Sequence, residues 1–215
     1  MKKKLTAVAL IVALLAVAII GGTLAYFTDD AQKDNVFTVG NVNIVLTETE
    51  WDAEEDHNDV YPGEALKKNP VVLNLSDDGN TISDNPCFVR IAVKGLNCLG
   101  EGNEITYETN YVPGALGEGW VLYEDGYFYY ESVLGGLYQV QNEGMAYKTT
   151  ELFQQIRIPT SVTNDFDDSY DVKVFAEAVQ AQGAKPSWSA VKSMTVEEIA
   201  AWFTTCMPAA PAADN

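Results

Sequence analysis

At Gly21–Thr47 an apolar run that ends in two glycines gives way to strictly alternating sequence. Val42, Ile44 and Leu46 occupy one set of positions; Asn41, Asn43, Val45 and Thr47 occupy the other. A period of two puts successive side chains on opposite faces, and an apolar set against a mainly polar one describes a half-buried strand. The folded part of the chain is therefore expected to begin at this strand. A cut anywhere in the preceding segment would free the residues just before it.

The sequence upstream predicts such a cut. Lys2, Lys3 and Lys4 form a positive start, and Leu5–Ile20 is a sixteen-residue run without a charge. That run is short for a membrane span and suited to the apolar region of an export signal. Thr23-Leu24-Ala25 places small residues where a signal peptidase reads them, so cleavage is expected after Ala25, leaving Tyr26 first. The competing reading is an uncleaved N-terminal anchor. The expected organisation is a signal peptide over 1–25, an N-terminal segment over 26–40, a β-domain over 41–207 and a Pro/Ala tail over 208–215.

Charge and composition narrow the function classes. The 215 residues carry a formal net charge of −18, and removal of the first 25 takes away three lysines and no acid, leaving −21. So negative a chain is a poor partner for nucleic acid or anionic lipid, and it stays soluble after export. The 47% apolar content is that of a folded protein. Three cysteines, Cys87, Cys98 and Cys206, cannot all pair within one chain. A Cys87–Cys98 bridge is open from sequence. The single histidine, His57, lies in the acidic stretch Trp51–Asp59 and reads as surface; no Cys/His cluster has zinc-ligand spacing, so no metal or other cofactor is expected.

Short strands dominate the rest. Val36–Val39, Asn69–Leu75, Pro86–Lys94, Ile105–Thr109 and Glu151–Pro159 read as strands, with Cys87, Val89, Ile91 and Val93 as the core face of the third. Trp120–Glu131 reads as a hairpin about Asp125-Gly126, a dipeptide that favours a type I′ turn. Its tyrosines Tyr127, Tyr129 and Tyr130 and Phe128 read as sheet packing, with a carbohydrate-stacking platform as the alternative. Ser169–Ala181 fits both helical and strand spacing. At Thr195–Thr204 a capping box, Thr195 with Glu198, precedes an apolar face of Val196, Ile199, Ala200 and Phe203, which predicts a helix. Many short strands with turns between them and one late helix predict a mainly β fold, a β-sandwich.

The stretches TLAYFTD and NVFTVGNVNIVLTE resemble the TasA/camelysin family of secreted proteins of Gram-positive bacteria. So do YPGEALKKNPVVLN, NPCFVRIAVK and DGYFYYESVL. The resemblance implies a jelly-roll-like sandwich with small helical insertions and makes Ser169–Ala181 a strand. It allows cleavage one residue later, before Phe27, and implies a dedicated signal peptidase as a transient partner. It also implies secretion, a place in the biofilm matrix and, for fibre-forming members, assembly by donation of an N-terminal strand to the next subunit. Carried onto this chain, the donor segment is Phe27–Val39, with Phe27, Val36, Phe37 and Val39 as its apolar anchors. The expected partner is a second copy, head to tail, with other matrix proteins as further candidates, and no stable membrane anchor is expected after cleavage.

These observations leave three function classes. The first is a structural protein of the matrix. The second is a surface metalloprotease, because the camelysin branch carries that label. A zinc protease needs about three protein ligands and a general base, and one histidine without an HExxH motif argues against it; a serine triad would have to recruit the same His57. The third is a monomeric carbohydrate- or ligand-binding matrix protein. The expectation is the first, without catalytic residues.

Overall fold

The computed structural model describes residues 37–39, 42–52, 61–96, 104–161 and 172–207, the first of these by backbone alone. The chain divides into two compact units, 1–33 and 34–215, and every described residue belongs to the second. The expected signal peptide over 1–25, Ala25, Tyr26, Phe27, Val36, the stretch 53–60 with His57, Cys98 and the residues 208–215 lie outside the described residues.

The fold is mainly β. Its strands are β1 (Phe37–Val39), β2 (Val45–Thr47), β3 (Ala65–Lys67), β4 (Val71–Leu73), β5 (Cys87–Lys94), β6 (Thr106–Thr109), β7 (Val112–Pro113), β8 (Trp120–Leu122), β9 (Phe128–Tyr130), β10 (Gln155–Arg157) and β11 (Lys173–Gln180). They form a five-stranded sheet in the order β1-β11-β5-β9-β8, a four-stranded sheet β3-β10-β6-β7 and a pair β2-β4. Among the described residues four helical segments accompany them: α1 (Thr49–Asp52), α2 (Leu137–Glu143), α3 (Trp188–Lys192) and α4 (Val196–Cys206).

β5 and β11 are the backbone of the larger sheet, antiparallel over eight residue pairs from Lys173↔Lys94 to Gln180↔Cys87. One face carries Cys87, Val89, Ile91, Ala176 and Ala178 into a core shared with Val42, Ile44, Val72, Ile105, Phe153 and Ile156. Leu46, on the same alternating face as Val42 and Ile44, packs against that core too. The other face is not left to solvent at this end. Phe88, Tyr129 and Val179 pack there with Val191, Ile199, Ala200 and Phe203 of the late helices. The larger sheet is thus buried on both faces, so an apolar residue was needed at Phe88 as well as at Val89. The ambiguous Ser169–Ala181 stretch is a strand where described, because it pairs along its length with β5.

Two turns depart from expectation. At Glu124-Asp125-Gly126 only the glycine is left-handed (φ 83°). Gly126 N–H donates to Tyr123 O at 3.0 Å and Tyr123 N–H to Tyr127 O at 2.9 Å. This is a three-residue loop with a left-handed glycine, not a two-residue type I′ turn. Positive φ at two successive central residues, as type I′ requires, is found instead at Asn110 (53°) and Tyr111 (63°), between paired Thr109 and Val112.

Candidate functional site

β1 is an edge strand. It pairs with β11 in parallel, Phe37 opposite Glu177, Thr38 opposite Ala178 and Val39 opposite Val179. β11 has eight residues, so β1 lies against three of them. Parallel neighbours need a long connection, and here it is most of the domain. The anchors expected at Phe37 and Val39 therefore fall on this edge, while Phe27 and Val36 lie outside the described residues. Directly behind, the segment that leads into β2 has Val42 and Ile44 already sunk in the core, 2% and 5% exposed.

β11 is fixed from behind by Arg90 of β5. Its Nε donates to Glu177 Oε2 at 2.6 Å and its Nη1 to the Tyr129 hydroxyl at 2.9 Å. That hydroxyl donates to Asp125 Oδ2 at 2.7 Å. The guanidinium lies 3.8 Å from the centre of the Tyr127 ring and 4.6 Å from that of Phe203. Burial works against the charge, but the Tyr129 hydroxyl and the Glu177 carboxylate together hold the Arg90 pKa above its ordinary value. Burial also pushes the Tyr129 phenol well up, against the pull of Arg90. One side chain thus ties β11, β9 and α4 together. Strand reasoning placed Arg90 on the face away from the core but had no way to see this cage, because its members are brought together only by sheet order.

The hairpin aromatics are occupied by packing. Phe128 and Tyr129 are buried, and Tyr130 stacks at a tilt on Trp120 with ring centres 5.2 Å apart. A shallow depression of about 200 Å³ between Ala184, Met194 and Trp202, with the Lys185–Glu198 ion pair on its lining, contains neither histidine nor cysteine.

A second polar cluster secures the base of the acidic loop. Lys68, 3% exposed, donates from Nζ to Glu48 Oε2 at 2.8 Å and lies 4.4 Å from the centre of the Trp51 ring. Asn69 donates to Glu151 at 3.0 Å and accepts from the Glu50 N–H at 2.9 Å. These contacts hold α1, which leads into the loop that contains His57.

The described residues do not fit a zinc centre. Among them no group of three or more His, Cys, Asp or Glu stands together to hold a metal ion. Cys87 is a free thiol, fully buried, and burial pushes its pKa far up, away from the thiolate a metal would need. Asp78 spends its carboxylate on its own loop. The Thr81 and Asn80 N–H groups donate to it at 2.9 Å each and lower its pKa. No helix among the described residues is long and apolar enough to cross a membrane.

The structure defines a mainly β domain with a short, parallel N-terminal edge strand and a helical cover over one sheet. Within that class, a family model described as camelysin metallo-endopeptidase matches residues 1–84. The resemblance to the TasA/camelysin family is shown over that stretch, which reaches from the apolar run through β4. Neither the curated proteins nor the solved structures yield a match.

Proposed function

We propose that the protein is a secreted structural component of an extracellular matrix, which assembles head to tail by exchange of its N-terminal strand. The observation that carries this reading is β1 itself: an edge strand at the N-terminus that pairs with three residues of an eight-residue neighbour. Among the residues whose side chains are described, the first in the core is Val42. The edge that β1 would vacate is a template for the same strand of another copy. That contact is heterologous and does not close, so it propagates a filament.

The test is polymer size by sedimentation, with electron microscopy, for protein that starts at Tyr26 and for protein that lacks residues 26–39. The first should form filaments and the second should stay monomeric with an unchanged circular dichroism spectrum. Equal polymer size in both removes the N-terminal segment as donor. Burial of a Phe-sized side chain is worth about 1.5–3 kcal/mol, so Phe37→Ala should weaken each junction by about one to two decades in association constant.

The description of the matching family model favours a second reading, a surface metallo-endopeptidase. Its ligands would have to come at least in part from outside the described residues, where His57, the one histidine, lies. The strand-exchange reading predicts that His57→Ala leaves any caseinolytic activity of purified protein unchanged. Stoichiometric zinc bound through His57, with activity lost in the variant, would establish the protease instead.

A further inference from the structure

β8 ends the larger sheet on the side away from β1, and no described strand lies beyond it. The Tyr123 N–H donates to Tyr127 O and the Glu131 N–H to Gly119 O, which sets the alternation of bonds between β8 and β9. Val121, opposite Tyr129, therefore turns its peptide groups toward β9. Those of Leu122 and the Trp120 carbonyl point outward, while the Trp120 N–H is taken by Gly117 O at 3.2 Å. Such an outward row is a template for another strand. β8 is short, but it carries neither the lysine nor the proline that blunts an edge. Leu122, opposite buried Phe128, is left 50% exposed at the rim of the core.

Charge selects what can lie there. No lysine, arginine or histidine occurs between Lys94 and Lys148, and β8 and β9 both fall inside that stretch. Glu118 and Glu124 are exposed in the turns at the two ends of β8, three positions either side of Val121. Arg90 answers Asp125 at 3.8 Å. Among the described residues the ion pairs of this domain leave out Glu118, Glu124 and Glu131. Burial first, and then the charges of Glu197, Glu124 and Asp125, raise the Tyr123 pKa, so α4 adds a further carboxylate to this end of the edge. A second β8 is a poor occupant. Antiparallel pairing about Val121 would bring Glu118 of each copy toward Glu124 of the other, and like charges across a strand pair destabilise it.

We propose that the β8 edge accepts a short extended segment of a basic protein, which pairs with Trp120–Leu122 while its lysines or arginines reach Glu118 and Glu124. Main-chain hydrogen bonds supply the attachment, an apolar residue of the segment covers Leu122, and the flanking charges choose the partner. This surface lies at the opposite edge from β1 and does not depend on strand exchange.

The test titrates dilute protein with a short capped peptide of alternating threonine and valine, with lysine at both ends spaced to match Glu118 and Glu124. The control is the same peptide with glutamate at both ends. The lysine peptide should slow exchange of the Leu122 amide by about tenfold at saturation and leave Cys87–Lys94 unchanged. Its affinity should fall as salt rises from about 0.05 M to about 0.5 M, and the glutamate peptide should not bind. In Glu118→Lys/Glu124→Lys, with its fold checked by circular dichroism, the preference should reverse. Absence of binding, protection elsewhere than residues 120–124, or equal binding of the lysine peptide to wild type and the double variant overturns the proposal. If Leu122 is protected by concentration of the protein alone and not by the lysine peptide, the occupant is a second copy and the basic partner is excluded.

Discussion

Arg90 is the residue whose loss the domain should feel most sharply. Its side chain is 13% exposed and its partner Glu177 is 17% exposed, so removal strands a carboxylate and a buried phenol together. Breakage of a buried pair by deletion of one partner costs about 3–5 kcal/mol. Because both groups keep some contact with water, Arg90→Ala should cost about 3 kcal/mol, read as a fall in the urea midpoint without loss of slope. Arg90→Lys should recover little, since an ammonium cannot lie flat between Tyr127 and Phe203 while it also donates to Glu177 and Tyr129. A second residue, Glu108, sets a pH limit. It is 2% exposed and accepts from Arg157 Nε at 2.6 Å and Nη2 at 3.1 Å, and also from Gln155. The Arg157 hydrogen bonds outweigh burial and lower its pKa. A depressed folded-state pKa contributes stability that is present above the unfolded value of about 4.3 and lost as pH falls through the folded one. Glu108→Gln should therefore lower the melting temperature at pH 7, and the difference from wild type should shrink as the pH drops below about 4.

At the scale of elements, α4 decides whether the larger sheet is wet or dry on its second face. The Thr195 hydroxyl accepts from the Glu198 N–H at 3.3 Å, and the Glu198 carboxylate accepts from the Thr195 N–H at 3.1 Å. This is the capping box that the sequence predicts. Thr195→Ala should cost about 1 kcal/mol, and Phe203→Ala about 3–5 kcal/mol through the cavity it leaves against Tyr129 and Arg90. Thermal unfolding of the two variants should rank them in that order. The sequence made α4 legible because cap and apolar face agree within one short window. β5 was legible for a like reason, alternation long enough to show which residues share a face; β11 was not, since Ser169–Ala181 fits helical spacing as well and only the family resemblance made it a strand. The double burial of the larger sheet was not legible. Phe88 alternates with Val89 as a solvent-side residue would, and only the return of α4 across it makes both inside. The short helices α2 and α3 also escaped. α2 has no buried residue to imprint a period on its sequence, and α3 has only Val191. At Asp125-Gly126 the loop length went to three residues because Glu124 joined the turn, a choice made by the register of β8 on β9 and not by the dipeptide. Of the candidate edge, the alternating strand and the apolar residues before it could be read. Its parallel pairing with a strand more than a hundred residues later could not, since no local pattern encodes a partner that distant.

At the scale of the molecule, charge opposes the assembly proposed here, and that opposition can be tuned. Copies at −18 or beyond repel one another at pH 7. Screening shortens the reach of that repulsion from about 10 Å at 0.1 M salt to about 3 Å at 1 M, so filaments should lengthen as salt rises through that range. Acid acts in the same direction, since the sequence pI is about 4.2 and the net charge shrinks as the pH approaches it. The two acid effects then diverge. Glu108, Glu143 and Glu198 all have lowered pKa values, each first through a hydrogen bond from its own cation, Arg157, Lys192 and Lys185 respectively. They stay ionised in the fold after ordinary carboxylates have been neutralised, so the ion pairs outlast the surface charge. Assembly should therefore quicken as the pH falls and be fastest close to the pI, at about pH 4 to 4.5, between loss of the repulsion and loss of the fold. Light scattering for filament growth and circular dichroism for the fold, recorded along one pH series, check this. If growth slows steadily as the pH falls from about 7 to about 5 while the fold is intact, charge repulsion is not what limits assembly.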